Sequence, residues 1–321
     1  MKWFGGALFF FLTLTTAAAQ DYPTKPINII VPAAAGGPTD TLTRVLAQAM
    51  GEALKQQMIV ENVGGAGGTI GINRAAKARN DGYTLLLYHI GMATSPALYR
   101  KLQYDTLNDF DYIGQVADVP MMLIAKKATA ATTFREFLPY AKANKDKLTY
   151  ANAGLGSASY LCGILFMSAI DANFTMVPYK GTGPAMNDLV GGQVDFMCDQ
   201  TTNTVPQIKS GNVKAYGVTT QSRLASMPDL PTLDEQGLKG FDLVVWNGLF
   251  GPKGMPKPAV EKLVAALQTA VQSAAFRARL ADLGAEPVPL SKANPGSLGN
   301  LLKAEVDKWG PIIKKTGTFA D

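Results

Sequence analysis

The chain has 321 residues, 47% hydrophobic and 17% charged, a globular composition long enough for two domains. The 30 basic and 25 acidic residues leave a formal charge of +5, or +4 once Lys2 leaves with a leader. A charge this small and scattered excludes a nucleic-acid-binding reading, which needs clustered Lys/Arg with stacking aromatics, and gives a mild field that favours anionic solutes. Lys2, an apolar run over residues 3–14 and the small residues Ala17-Ala18-Ala19 have the layout of an export signal. The run is shorter than the roughly 20 residues that span a bilayer as a helix, so cleavage near Ala19 and release into the periplasm are expected, not anchoring. No cysteine follows the run, so no lipid attachment is expected.

Short apolar strands then alternate with longer amphipathic segments, the pattern of α/β layers. Residues 27–31 form an apolar strand broken only by Asn28, and Leu42, Val45, Leu46, Ala49, Met50 and Ala53 recur at helical spacing. Pro38 suits the first turn of that helix, where a missing N–H costs nothing. Strands follow at 59–61 and 84–88 around a helix over 70–78, then a helix marked by Phe134, Phe137, Leu138 and Ala141. Further strands are predicted at 148–151, 175–177, 194–197 and 213–218, with a helix over 157–170. Val260, Leu263, Val264, Leu267, Val271 and Ala274 draw a long stripe near the end, which is core packing. There is no repeat and no linker, which fits a chain that crosses between domains more than once. The crossings are placed near 118–121 and 219–223.

Three strand-to-helix loops carry glycine or serine: 33–38 (Ala-Ala-Ala-Gly-Gly-Pro), 64–68 (Gly-Gly-Ala-Gly-Gly) and 153–159 (Ala-Gly-Leu-Gly-Ser-Ala-Ser). Free N–H groups ahead of a helix attract anions, and glycine lets a ligand come close. The first two loops lack the Gly-Lys-Ser/Thr ending of a nucleotide loop, and no dinucleotide fingerprint follows the first strand. None contains Arg or Lys, so a carboxylate there would be held by backbone amides and hydroxyls such as Ser157 and Ser159. His89 is the sole histidine, which excludes a histidine-pair metal site. It reads as a loop or core residue, since a catalytic triad would need two partners for it and the serine loop is no nucleophile elbow. No metal and no cofactor is expected. Cys162 and Cys198, the only cysteines, either pair in an oxidising compartment or sit as buried inert thiols.

These motifs resemble those of Bug-type (TctC-like) solute receptors, the periplasmic binding proteins of tripartite tricarboxylate transporters. The resemblance is carried by Ile30-Val31-Pro32 with 35–40, Glu61-Asn62 with 65–68, residues 81–85, Val177-Pro178-Tyr179-Lys180-Gly181-Thr182-Gly183-Pro184, residues 189–195 with Asp199, and Trp246-Asn247-Gly248-Leu249-Phe250 with 252–254. It implies a type II periplasmic-binding fold, two α/β lobes with a ligand cleft between them. Lobe I would comprise 20–118 and 222–321, and lobe II 119–221. The implied function is capture of a small carboxylate-bearing solute (mono-, di- or tricarboxylate, aromatic acid or amino acid) by a monomer, without chemistry, and delivery to the membrane subunits of the transporter. A sensor that shows its bound form to a kinase and a periplasmic hydrolase are the alternatives. Candidate ligand-binding residues are Ala34, Ala35, Gly36, Asp40, Gly67, Gly156, Ser157, Ser159, Tyr160, Gly181, Asp199 and Trp246. Asp40 and Asp199 would repel a carboxylate and are expected to hold loop amides in place. The resemblance is broken at Tyr160, where relatives usually carry His, and at Cys162 and Cys198, where they carry Ala and Phe-like residues.

Overall fold

The computed structural model describes residues 22–316 and 319–320, so the export signal expected over 1–19 lies outside the described residues. The chain opens with β1 (Ile27–Val31), α1 (Pro38–Leu54), β2 (Met58–Asn62), α2 (Thr69–Ala76), β3 (Thr84–His89) and α3 (Gly91–Leu98). The long β4 (Phe110–Lys126) leads into α4 (Phe134–Ala143), β5 (Thr149–Asn152), α5 (Ala158–Ile170), β6 (Thr175–Pro178), α6 (Thr182–Val190), β7 (Phe196–Gln200), α7 (Thr201–Lys209) and β8 (Val213–Val218). The return runs through β9 (Val244–Pro252), α8 (Lys257–Gln272), α9 (Ala274–Asp282), β10 (Glu286–Pro287) and α10 (Pro295–Thr316).

The strands lie in the order β2-β1-β3-β9-β4-β7-β5-β6, with β8 and β10 also paired to β4. Two parallel sets, β2-β1-β3 and β7-β5-β6, therefore flank a central antiparallel pair. Ile27, Ile29, Ile30 and Val31 are buried on both faces of β1, as parallel strands under helices require. One face meets Leu42, Leu46 and Met50 of α1 and Leu263 and Leu267 of α8 in a single apolar cluster. Burying each such side chain contributes about 1.5–3 kcal/mol.

β4 joins the halves. Phe110 to Pro120 pair with β9, and from Met121 onward the same strand pairs with β7 and β8. At this changeover the Thr219 hydroxyl donates to the Leu243 carbonyl (2.6 Å) and accepts from the Met121 amide (3.1 Å). Three chain passages are tied at one point. Cys162 and Cys198 form a disulfide between α5 and β7, with Cα atoms 6.0 Å apart, which settles the choice that the sequence left open.

Candidate functional site

The two sets of parallel strands, β1 to β3 and β5 to β7, end at one cavity of about 260 Å³. In open α/β sheets the crevice beyond the strand carboxyl ends is where ligands bind, because the loops there carry no sheet hydrogen bonds. Residues from all three glycine and serine loops line it, together with Pro178 to Thr182, Asp199 and Gln200. Its two walls touch. The Thr94 hydroxyl of α3 donates to the Gly156 carbonyl (2.9 Å). A Cβ on Gly183 would stand 2.9 Å from the Ala35 carbonyl oxygen, and one on Gly67 2.6 Å from that of Leu155. Gly67 also needs its φ of +60°, so glycine is required there twice over.

Asp40 sits behind the first loop. Its Oδ2 accepts from the Gly36 amide (2.9 Å) and from Arg44 Nε (3.0 Å). Burial raises the Asp40 pKa, but the bonds from Arg44 and Gly36 outweigh it and hold the carboxyl below its usual range. The Gly36 amide is thereby spent on Asp40, and Gly36 is absent from the cavity wall. Ala34 and Ala35 pack instead against Gly181 and Gly183 at the seam.

In the serine loop, Ser157 caps α5 by accepting from the Tyr160 amide (3.2 Å). Ser159 Oγ accepts from the Ala153 amide (2.8 Å) and pairs with Ser157 Oγ (3.1 Å). That pair uses one of two hydroxyl protons, so one donor is left over beside the helix N-terminus. From behind, the buried Tyr150 hydroxyl donates to the Ser159 carbonyl (2.6 Å) and accepts from the Cys198 amide (3.2 Å). The disulfide fixes the same two segments covalently.

Asp199, 1% exposed, accepts from the Gln200 amide (2.8 Å) and from Asn203 Nδ2 (2.6 Å). Burial pushes its carboxyl up to about 6, against the pull of the bonds from Asn203, Gln200 and Thr182.

Of the twelve residues expected from the sequence, Gly67, Ser157, Ser159, Gly181 and Asp199 are brought together in the cavity wall. Gly156 lies just behind it through its carbonyl, and Tyr160 packs half-buried on the apolar core. Trp246 lies elsewhere. It lines a separate groove of about 1010 Å³ that holds none of the three loops, and its indole N–H donates to Glu305 (3.2 Å). Sequence reasoning overlooked Tyr88, His89, Lys180, Thr182 and Gln200, which all line the cavity. Only the sole histidine at a strand end, and a lysine beside Gly181, gave any signal.

Residues 42–318 match the family described as tripartite tricarboxylate transporter family receptor. The chain belongs to this receptor family. A protein of the TAR-I ttuE-ttuC' intergenic region of Agrobacterium vitis is 48% identical over 302 residues, covering 94% of this chain and 87% of that one. The structure of the periplasmic binding protein BugD superposes with a TM-score of 0.90 at 49% identity, over 93% of this chain and 99% of its own. MatC from Rhodopseudomonas palustris, solved with bound malate, gives 0.86 at 40% identity, over 91% and 100%. The fold of this receptor is accordingly the two-lobed α/β fold of periplasmic binding proteins. No helix among the described residues is long and apolar enough to cross a membrane.

Proposed function

We propose that this receptor captures a small carboxylate-bearing solute between its lobes in the periplasm and delivers it to the membrane subunits of a tripartite tricarboxylate transporter. The observation that carries the reading is the cavity itself. It is walled by strand-end loops, backbone amides and the Ser157–Ser159 pair at a helix N-terminus, and the related MatC holds malate. A space of about 260 Å³ has room for roughly nine water-sized groups at ~30 Å³ each, the size of a small organic acid.

In this reading the lobes are 20–118 with 222–321, and 119–221. The boundary is supported by the change of β4 partners between Pro120 and Met121 and by the Thr219 tie. Cleavage near Ala19 releases the chain as a monomer. A hydrolase is disfavoured by one geometry: His89 Nδ1 accepts from the Gly91 amide (3.3 Å), whereas a triad needs that nitrogen to donate to a carboxylate.

Thermal unfolding with a panel of mono-, di- and tricarboxylates, aromatic acids and amino acids tests the reading. A bound acid at a hundredfold excess over its Kd adds about 2.7 kcal/mol and raises Tm. A panel in which only non-acids stabilise would overturn it.

A further inference from the structure

His89 ends β3, opposite Asn247 of β9, and is a lining residue of the cavity while being only 5% exposed. The ring is held on two sides. It stacks on Tyr88 at 4.1 Å between centroids, 28° from parallel. Tyr88 is itself fixed, because its hydroxyl donates to the Gly67 carbonyl (3.0 Å) and a Cβ on Gly68 or Gly91 would run into its ring. The Gly91 amide donates to Nδ1, so the ring proton sits on Nε2. Among the described residues no group accepts from that N–H. Burial keeps the imidazole neutral, its pKa pulled down to about 3. The other titratable groups in the wall are Asp199, Lys180 and the phenols of Tyr88, Tyr99 and Tyr179.

We propose that His89 is a ligand-binding residue, an uncharged imidazole whose Nε2–H donates to an anionic oxygen of the solute. This rests on the reading of the cavity as a carboxylate site. The ring then does for one wall what the spare serine proton does for the other. Each supplies a neutral, fixed donor, so an anion is held without a buried cation that would need its own counter-charge. A neutral donor of fixed direction also selects by geometry, since it rewards an oxygen at one point and not negative charge in general.

Because the chain has a single histidine, tag-free protein labelled with 15N-histidine gives one imidazole to observe. In the free protein we expect the Nε2–H tautomer from pH 5 to 8, with no titration near the ordinary midpoint of about 6.5. Malate, adipate and benzoate serve as probes. Any that raises Tm should shift the Nε2 and Nε2–H resonances. For that probe His89→Phe should weaken binding about tenfold or more, while His89→Gln, which keeps an N–H near the same place, stays within about threefold. An imidazole that titrates at its ordinary midpoint, or one unmoved by a probe that raises Tm, overturns the proposal. If none of the acids raises Tm, the carboxylate reading is what fails, and the tautomer still reads out on the free protein.

Discussion

The wall made by the ends of β1, β2 and β3 and the wall made by the ends of β5, β6 and β7 face the same cavity with different materials. The first is rich in backbone, with glycines at 37, 65, 67 and 68, and beside the phenols of Tyr88 and Tyr99 it carries one imidazole, which burial keeps uncharged. The second carries the paired serines, Thr182, Asp199 and Lys180, and it is stiffened by the Tyr150 hydroxyl and a disulfide. A close-fitting surface is thus set against a functional-group surface. The contrast accounts for how a site can suit anions with a single exposed lysine at hand.

The stiff wall is broken most severely at the disulfide. It closes a loop across a sequence separation of 36, for which the chain-entropy treatment gives about 3–4 kcal/mol. Cys162→Ala with Cys198→Ala should lose that much in urea unfolding. Loss of under about 1 kcal/mol would mean that the Tyr150 bonds alone hold the wall.

The close-fitting wall is tested by Gly183→Val. Gly183 has no positive φ, and its clash is with the Ala35 carbonyl of the opposite wall, so the lobe should fold normally while closure is obstructed. Overpacking costs about 1–3 kcal/mol, and its upper end is close to a hundredfold in affinity. We expect an unchanged Tm without solute and a Kd raised about a hundredfold by calorimetry. Wild-type affinity would show that the walls need not meet there.

The smallest effect compares the two buried titratable groups, one on each wall. Asp199 titrates at about 6 folded against 3.8 ordinarily, so the folded chain holds a proton the unfolded chain has lost, and this group adds stability as pH falls. His89 titrates at about 3 against 6.5, so there the unfolded chain holds the extra proton and stability is lost as pH falls. Between about pH 4 and 6 the two slopes oppose and cancel. Asp199→Asn leaves only the histidine, and the variant should lose about 1.4 kcal/mol per pH unit relative to wild type as pH drops through that window. Parallel stability curves would show that Asp199 does not take up its proton as described.

Legibility in the sequence divides along physical lines. β1, β3, β5 and β8 and the helices α1 and α8 were visible because an apolar run or stripe marks their buried faces. β4 was not visible as one strand, because Gly114, Asp118 and Pro120 interrupt it and its register shifts twice against β9. Residues such as Pro120 argue against a strand when read locally. α3 escaped because it is buried all round except at Pro96, so it has no stripe. The glycine and serine loops were legible as anion-binding types. So was the hold of Asp40 on a loop amide, which is local, with Gly36 four residues away. The placing of Trp246 in a separate groove was not, because it depends on packing across elements distant in sequence. His89 reads in the sequence as a loop or core residue, and it is indeed buried at the end of β3; the role proposed for it needs neither a metal nor a triad, so no motif points to it.

The central claim, two walls that close on a carboxylate, is tested most directly by small-angle X-ray scattering of the mature protein with and without an acid that raises its Tm. The account predicts a larger radius of gyration without the acid, and with it a smaller one whose profile matches the structure in which the two walls touch. An identical radius in both samples, with the acid demonstrably bound, would contradict it.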